Sequence, residues 1–238
     1  MEKKPFVVGV IGGMGSYATV DFFRRLVEAF PAEKEWERPR SIIDNYCTMP
    51  SRVRAILYGE KREELVFDLC DSTMNLLRGG VNRIVLACNT SHVFLPDVEK
   101  CVPECKGKFL HIIKTLAEDM QNQGVKETYL LASEGTIQTG IYNEFLSNCG
   151  INLSVPTEEH YALLRNWIEA VKQNVYTENV LQSFKDFIDE CKSSSLILGC
   201  TELPILYRKA IESGWQPKIK IFDPLESVIV VLKKEYYD

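Results

Sequence analysis

Short apolar runs alternate with amphipathic stretches along this chain, and that alternation predicts an α/β protein with parallel strands. Phe6–Ile11 is an apolar run of strand length that ends in Gly12-Gly13-Met14-Gly15. Ser16 then stands where a helix N-cap belongs, ahead of Ala18, Phe22, Leu26, Val27 and Phe30, which fall on one helical face. Ser41–Asn45 reads as a second strand, and Lys61 to Leu77 as a helix stopped by Gly79-Gly80. Arg83–Ala87 is a third strand that runs straight into Cys88.

The second half repeats this order. Thr128–Ala132 reads as a strand, followed by a turn from Glu134 to Gly140. His160–Val171 and Glu178–Cys191 read as helices, the latter with Thr177 as N-cap. Ser195–Gly199 is a strand that runs straight into Cys200. Leu203–Ser213 is a helix closed by Gly214, Lys218–Phe222 a last strand and Leu225–Lys234 a last helix. The pattern predicts two similar lobes, each a mainly parallel sheet flanked by helices. Open parallel sheets bind ligands outside the carboxyl ends of their strands, so the expected site is a cleft between the lobes with Cys88 and Cys200 facing it. The expected division is 1–112 plus 215–238 for the first lobe and 113–214 for the second. The return of the last strand and helix to the first lobe is not dictated by pattern alone.

Composition narrows the function classes. With 238 residues, 45% of them hydrophobic, the chain can bury a sizeable core in one large domain or two small ones. A net charge of -5 argues against a nucleic-acid partner, which calls for a basic face. No apolar run approaches the roughly 20 residues of a membrane span. Met1–Pro5 leads into a run that ends in glycines rather than in a small-residue cleavage site, so a soluble cytoplasmic protein is expected. Eight cysteines in such a compartment are expected to be free thiols, with Cys70 in the core among Leu65, Leu69, Met74 and Leu77. Cys101 and Cys105 precede His111, but zinc needs four ligands and no second pair lies at suitable spacing, so no metal is expected.

The chemistry concentrates at Cys88-Asn89-Thr90-Ser91-His92 and Gly199-Cys200-Thr201-Glu202. Each places a thiol at a strand end, before a polar turn rich in backbone donors, where a helix N-terminus favours the thiolate. Two opposed thiols suit proton transfer at carbon: one, as thiolate, removes a proton, and the other, as thiol, protonates the opposite face. No cofactor is needed if nearby donors stabilise the developing carbanion, and Asn89, Thr90 and Thr201 are candidates. Each cysteine also has a plainer reading as a buried strand-end thiol. His92 and Glu202 either position the cysteines or cap helices.

These strings, with Gly12-Gly13-Met14-Gly15, resemble the three signature motifs of the aspartate/glutamate racemase family, in order and spacing over nearly the whole chain. Gly-Gly-Met-Gly and the Glu after Cys-Thr resemble the aspartate racemase branch, although Ser16 stands where the family often has Pro. The resemblance implies a cofactor-independent racemase of L- and D-aspartate, and of glutamate as the variant, with Cys88 and Cys200 catalytic in a homodimer. It assigns Arg52, in Pro50-Ser51-Arg52, and Lys172 to the distal carboxylate of an acidic amino acid. An arginine fork suits such a group. It assigns Met14, Asn89, Thr90 and Ser91 to cradling the substrate. Glu134–Gly140 with Tyr142 resembles the family's second-lobe turn, with Thr136 and Thr139 as further candidates.

Two other readings stand beside this one. Gly13-x-Gly15-x-x-Ala18 after a strand fits a dinucleotide fingerprint and suggests a nucleotide-binding oxidoreductase, with Asp44 as ribose ligand. Asp44 lies further on than that fingerprint expects, and the cysteine motifs then have no role. A catalytically inactive carboxylate-binding protein would keep the same residues without turnover.

Overall fold

The computed structural model describes residues 6–238, so the reading that Met1–Pro5 opens no cleavable segment falls on residues outside those described. In chain order the first part comprises β1 (Val7–Gly12), α1 (Ser16–Ala29), β2 (Arg40–Asn45), α2 (Arg52–Tyr58), α3 (Arg62–Arg78), β3 (Arg83–Leu86) and α4 (Leu95–Cys101). Then come α5 (Ile112–Asn122), β4 (Glu127–Leu131), α6 (Glu134–Thr139), α7 (Ile141–Asn148), β5 (Asn152–Ser154), α8 (Tyr161–Lys172), α9 (Glu178–Glu190), β6 (Ser195–Leu198), α10 (Leu203–Glu212), β7 (Lys220–Phe222) and α11 (Pro224–Tyr237). The fold is α/β, with two parallel sheets flanked by helices. The chain divides into two units, Met1–Ile112 with Leu225–Asp238, and Ile113–Pro224.

In the first unit β1 lies between β2 and β3, paired parallel to both. Every residue of β1 is buried, as expected of a central parallel strand covered on both faces. Helix α1 buries Ala18, Phe22 and Leu26, and Phe30 just beyond it is also buried. Val27, expected on that stripe, is 39% exposed, because it lies one residue off the i, i+4, i+8 series set by Ala18. Ser16 does not cap α1: it is the first helical residue, Gly15 is the N-cap, and the Ser16 hydroxyl instead accepts from Asn45 Nδ2. Thr19 does the local work, its Oγ1 accepting from Gly13 N–H and donating to the Gly15 carbonyl, each at 2.9 Å. Helix α11 completes this unit. It buries Leu225, Val228, Ile229 and Leu232, sets Tyr236 edge-on to Phe30, and pairs Glu235 with Arg83 through both carboxylate oxygens at 2.7 Å.

The second unit is a four-stranded parallel sheet in the order β5-β4-β6-β7. Trp167 of α8 is fully buried edge-on against Phe184 of α9, and its Nε1–H donates to Ser183 Oγ at 2.9 Å. Thr177 caps α9 by accepting from Val180 N–H. Two expectations change here. The segment from Glu134 to Gly140 is a short helix, α6, capped by Ser133 and ended by Gly140 at φ 66°, rather than an open turn. Residues 215–224 stay with the second unit, because β7 pairs with β6 with Ile197 opposite Phe222. Only α11 returns to the first unit, and the boundary falls after Pro224. Among the described residues no helix is long and apolar enough to cross a membrane.

Candidate active site

At the carboxyl end of β1 the backbone passes through Gly12 and Gly13. A Cβ on Gly12 would collide with the Thr19 side chain. A Cβ on Gly13, which has φ +83°, would collide with the backbone of Tyr46 and Cys47 beyond β2. Both glycines are thus required by the packing of protein on protein, and the turn needs no nucleotide to explain it. Asp44 lies within β2 in register with Ile11.

This close approach places Met14 at a junction. Its carbonyl accepts from Arg52 Nη2 at 2.9 Å, and its thioether accepts from Ser91 Oγ at 3.0 Å. Arg52 is the first residue of α2, which Ser51 caps, and its Nη1 also donates to the Pro50 carbonyl at 3.0 Å and, more weakly, to that of Met49 at 3.5 Å. All three acceptors are neutral carbonyls. Among the described residues no carboxylate pairs with this guanidinium, so its positive charge is oriented but not neutralised. The loops after β1, β2 and β3 therefore meet through Met14, Arg52 and Ser91.

Cys88 lies two residues beyond β3 and is buried. Its N–H donates to the Leu86 carbonyl at 2.8 Å, and its own carbonyl is met by His92 Nδ1 at 2.9 Å. Asn89, Thr90, Ser91 and His92 are all buried, on a turn of 3-10 helix that leads into α4. Burial, together with the neighbouring His111, pushes the His92 pKa down to about 3, against the opposing pull of the Cys88 and Asn89 backbone. The His111 ring stands against that of His92, with centroids 4.7 Å apart. Among the described residues no group of three or more His, Cys, Asp or Glu side chains is arranged to hold a metal.

In the second unit Cys200 lies two residues beyond β6 and is half-buried. Its thiol donates to Glu202 Oε2 at 3.0 Å, and Thr201 Oγ1 donates to the same oxygen at 3.3 Å. Glu202 is 2% exposed, and its Oε1 has no hydrogen-bond partner among the described residues. Lys172 ends α8 with its ammonium on Glu169 at 2.8 Å. Burial works against that charge, but the Glu169 hydrogen bond and the negative charges of Glu202 and Glu169 outweigh it and hold the pKa above the ordinary lysine value. Tyr142 of α7 is buried, and its pKa is raised well above the usual tyrosine range by burial first and then by Asp223 and Cys200. Thr136 and Thr139, by contrast, engage their hydroxyls within and around α6.

The first unit thus gathers Met14, Arg52, Cys88, Asn89, Thr90 and Ser91, and the second gathers Lys172, Cys200 and Thr201. Glu202 has a more specific place than the sequence suggested: it faces the Cys200 thiol, a contact that its position two residues on in a turn makes geometrically available. Asp223 was not singled out beforehand. It follows β7, and only the pairing of β7 with β6 brings it to this end of the sheet.

The family description Asp/Glu/hydantoin racemase matches residues 11–231. The broad-specificity amino-acid racemase RacX of Bacillus subtilis is 24% identical over 224 residues, 91% of this chain and 92% of that protein. The glutamate racemase of Carboxydothermus hydrogenoformans is 25% identical over 230 residues, 94% of this chain and 77% of that one. The structure of Picrophilus torridus aspartate racemase matches with a TM-score of 0.82 at 27% identity, over 98% of this chain and 94% of that one. The match runs from inside β1 into α11 and takes in both cysteine-bearing strand ends, and this chain belongs to the Asp/Glu/hydantoin racemase family.

Proposed function

We propose that this protein is a cofactor-independent racemase of an acidic amino acid, aspartate in the first instance, working by two-base proton transfer through Cys88 and Cys200. The observation that carries the reading is the hydrogen bond from the Cys200 thiol to a buried carboxylate, Glu202, whose second oxygen is unpartnered. A thiol aimed at a carboxylate has a local proton acceptor, so a thiolate can form without transfer to solvent. One cysteine removes the α-proton as thiolate, and the other, as thiol, protonates the opposite face of the planar carbanion. Asn89, Thr90 and Thr201 receive the α-carboxylate as its charge grows, where donors already in place are most effective. Met14 and Ser91 are proposed as further substrate contacts.

An acidic substrate is favoured by charge. Arg52 is held by three carbonyls with no carboxylate to neutralise it, and Lys172 keeps its ammonium charged beside Cys200. Both are proposed to receive the distal carboxylate. Aspartate is favoured over glutamate because the match to the Picrophilus torridus aspartate racemase is nearly end to end on both chains. We further propose a homodimer in a reducing cytoplasm, where its eight free thiols would persist.

The test is proton NMR of the L- and D-isomers of aspartate and glutamate in heavy water, with reduced protein and no added cofactor. Loss of the α-proton signal with appearance of the opposite isomer is expected for aspartate. Binding without exchange would support the carboxylate-binding alternative. Cys88→Ala and Cys200→Ala should each abolish inversion, and full racemisation by either variant would rule out the two-base scheme.

A further inference from the structure

We infer that His92 is a positioning residue for Cys88, a neutral imidazole locked in one tautomer that fixes the Cys88 carbonyl and, through it, the placement of the thiol. The inference rests on the two-cysteine reading above. His92 is 1% exposed and lies one turn of 3-10 helix beyond Cys88, so its ring folds back over the peptide it follows.

The tautomer follows from the partners. Ile112 N–H, at the start of α5, points at His92 Nε2 at 3.4 Å. An amide N–H can only donate, so Nε2 is the bare, accepting nitrogen. The ring proton is therefore on Nδ1, which donates to the Cys88 carbonyl at 2.9 Å. The Cys88 N–H is independently tied to Leu86. With both backbone groups of Cys88 held, the thiol keeps only its own side-chain rotation. An imidazolium would turn a second proton onto Ile112 N–H, and His111, whose ring centroid lies 4.7 Å away, is the titratable ring set against it. His92 is thereby excluded as the proton donor or acceptor in the reaction, although it stands four residues from the cysteine.

The plainer role would be to satisfy a helix-end N–H, since the first amides of a helix lack partners within it. The two roles are separable. In wild-type protein carrying nitrogen-labelled histidine, the His92 ring should show a protonated Nδ1 and a bare Nε2, unchanged from pH 5 to pH 9. Titration within that range, or an Nε2–H tautomer, would overturn the inference, and this measurement needs no variant to fold. His92→Asn keeps a donor close to the Nδ1 position, whereas His92→Phe keeps a ring and loses both partners. His92→Asn should racemise within about tenfold of wild type. His92→Phe should lose about 10²-fold in kcat with KM little changed, the scale of a misplaced reacting group. It should still exchange the α-proton of one enantiomer in heavy water without inverting it, because Cys200 can remove and return a proton on its own face. Wild-type racemisation by His92→Phe, or equal loss of exchange for both enantiomers, would show that His92 does not position Cys88. Absence of exchange by the wild type with all four substrates would instead count against the proposed function, and the ring tautomer would still be read separately.

Discussion

Glu202 shows what one side chain decides. Its burial would be costly if it met no donors, and it is stabilised by Thr201 and by the thiol it faces. Glu202→Gln keeps the shape and removes the basic oxygen. The expected outcome is a fall in kcat of about 10–10²-fold with KM within a few-fold, measured by coupled or polarimetric assay. An unchanged kcat would sink the role of Glu202 as proton acceptor. The proposed role of Arg52 rests on geometry as well as charge. Arg52→Lys preserves the charge but loses the planar fork that spans three carbonyls. Its KM for the acidic substrate should rise about tenfold or more, whereas an unchanged KM would take Arg52 out of substrate binding. The residue types were legible in the sequence, since thiols, an arginine and a glutamate stand within recognisable strings. The long-range partners were not, because Met14 meets Arg52 and Ser91 from loops remote in sequence.

At the scale of elements, every strand but the three-residue β5 and every long helix but α5 was read from the sequence, because their apolar periods run for several repeats. The short helices α2, α4, α6 and α7 were not read, since about two turns carry too little periodicity to stand out from a loop. The caps Ser51 and Ser133 were the available signals. The β1–α1 turn depends on close approach rather than on period. Gly13→Ala adds a Cβ at positive φ directly against the Tyr46–Cys47 backbone. It should cost about 1–3 kcal/mol in urea unfolding and lower activity as well, because Met14 and Arg52 move with the turn. Thr177→Ala offers the contrast. Loss of the α9 cap should cost about 1 kcal/mol in the same experiment while kcat and KM stay unchanged.

At the scale of the whole molecule, the first unit is discontinuous in sequence and the second is not. A fragment ending at residue 112 lacks α11, and with it the apolar face of Leu225, Val228, Ile229 and Leu232 and the Arg83–Glu235 pair. It should not fold by circular dichroism, and adding a peptide of residues 225–238 should restore structure. Cooperative folding of 1–112 alone would show that α11 is dispensable. Acid stability also belongs to this scale. The His92 pKa falls from its ordinary 6.5 to about 3 on folding. Between those values the unfolded chain binds a proton that the folded chain does not. His92 therefore stabilises the fold above pH 6.5, and that stability is lost as the pH drops toward 3. The slope is about 1.4 kcal/mol per pH unit. His92→Asn should show that much less loss of unfolding free energy per pH unit between pH 6 and pH 4, and parallel slopes would mean that His92 titrates normally.

The sequence by itself determined the α/β class, the doubled arrangement of strands and the strand-end placement of both cysteines. All three are written in local periodicity and in residues adjacent along the chain. Tertiary structure alone decided that β7 stays with β6 while α11 returns to the first unit, that Ser91 and Arg52 meet at Met14, and that Asp223 comes to the Cys200 end of its sheet. These depend on which strand finds a backbone partner and which apolar face finds a core. Such choices are set by contacts across the chain, which no local pattern records.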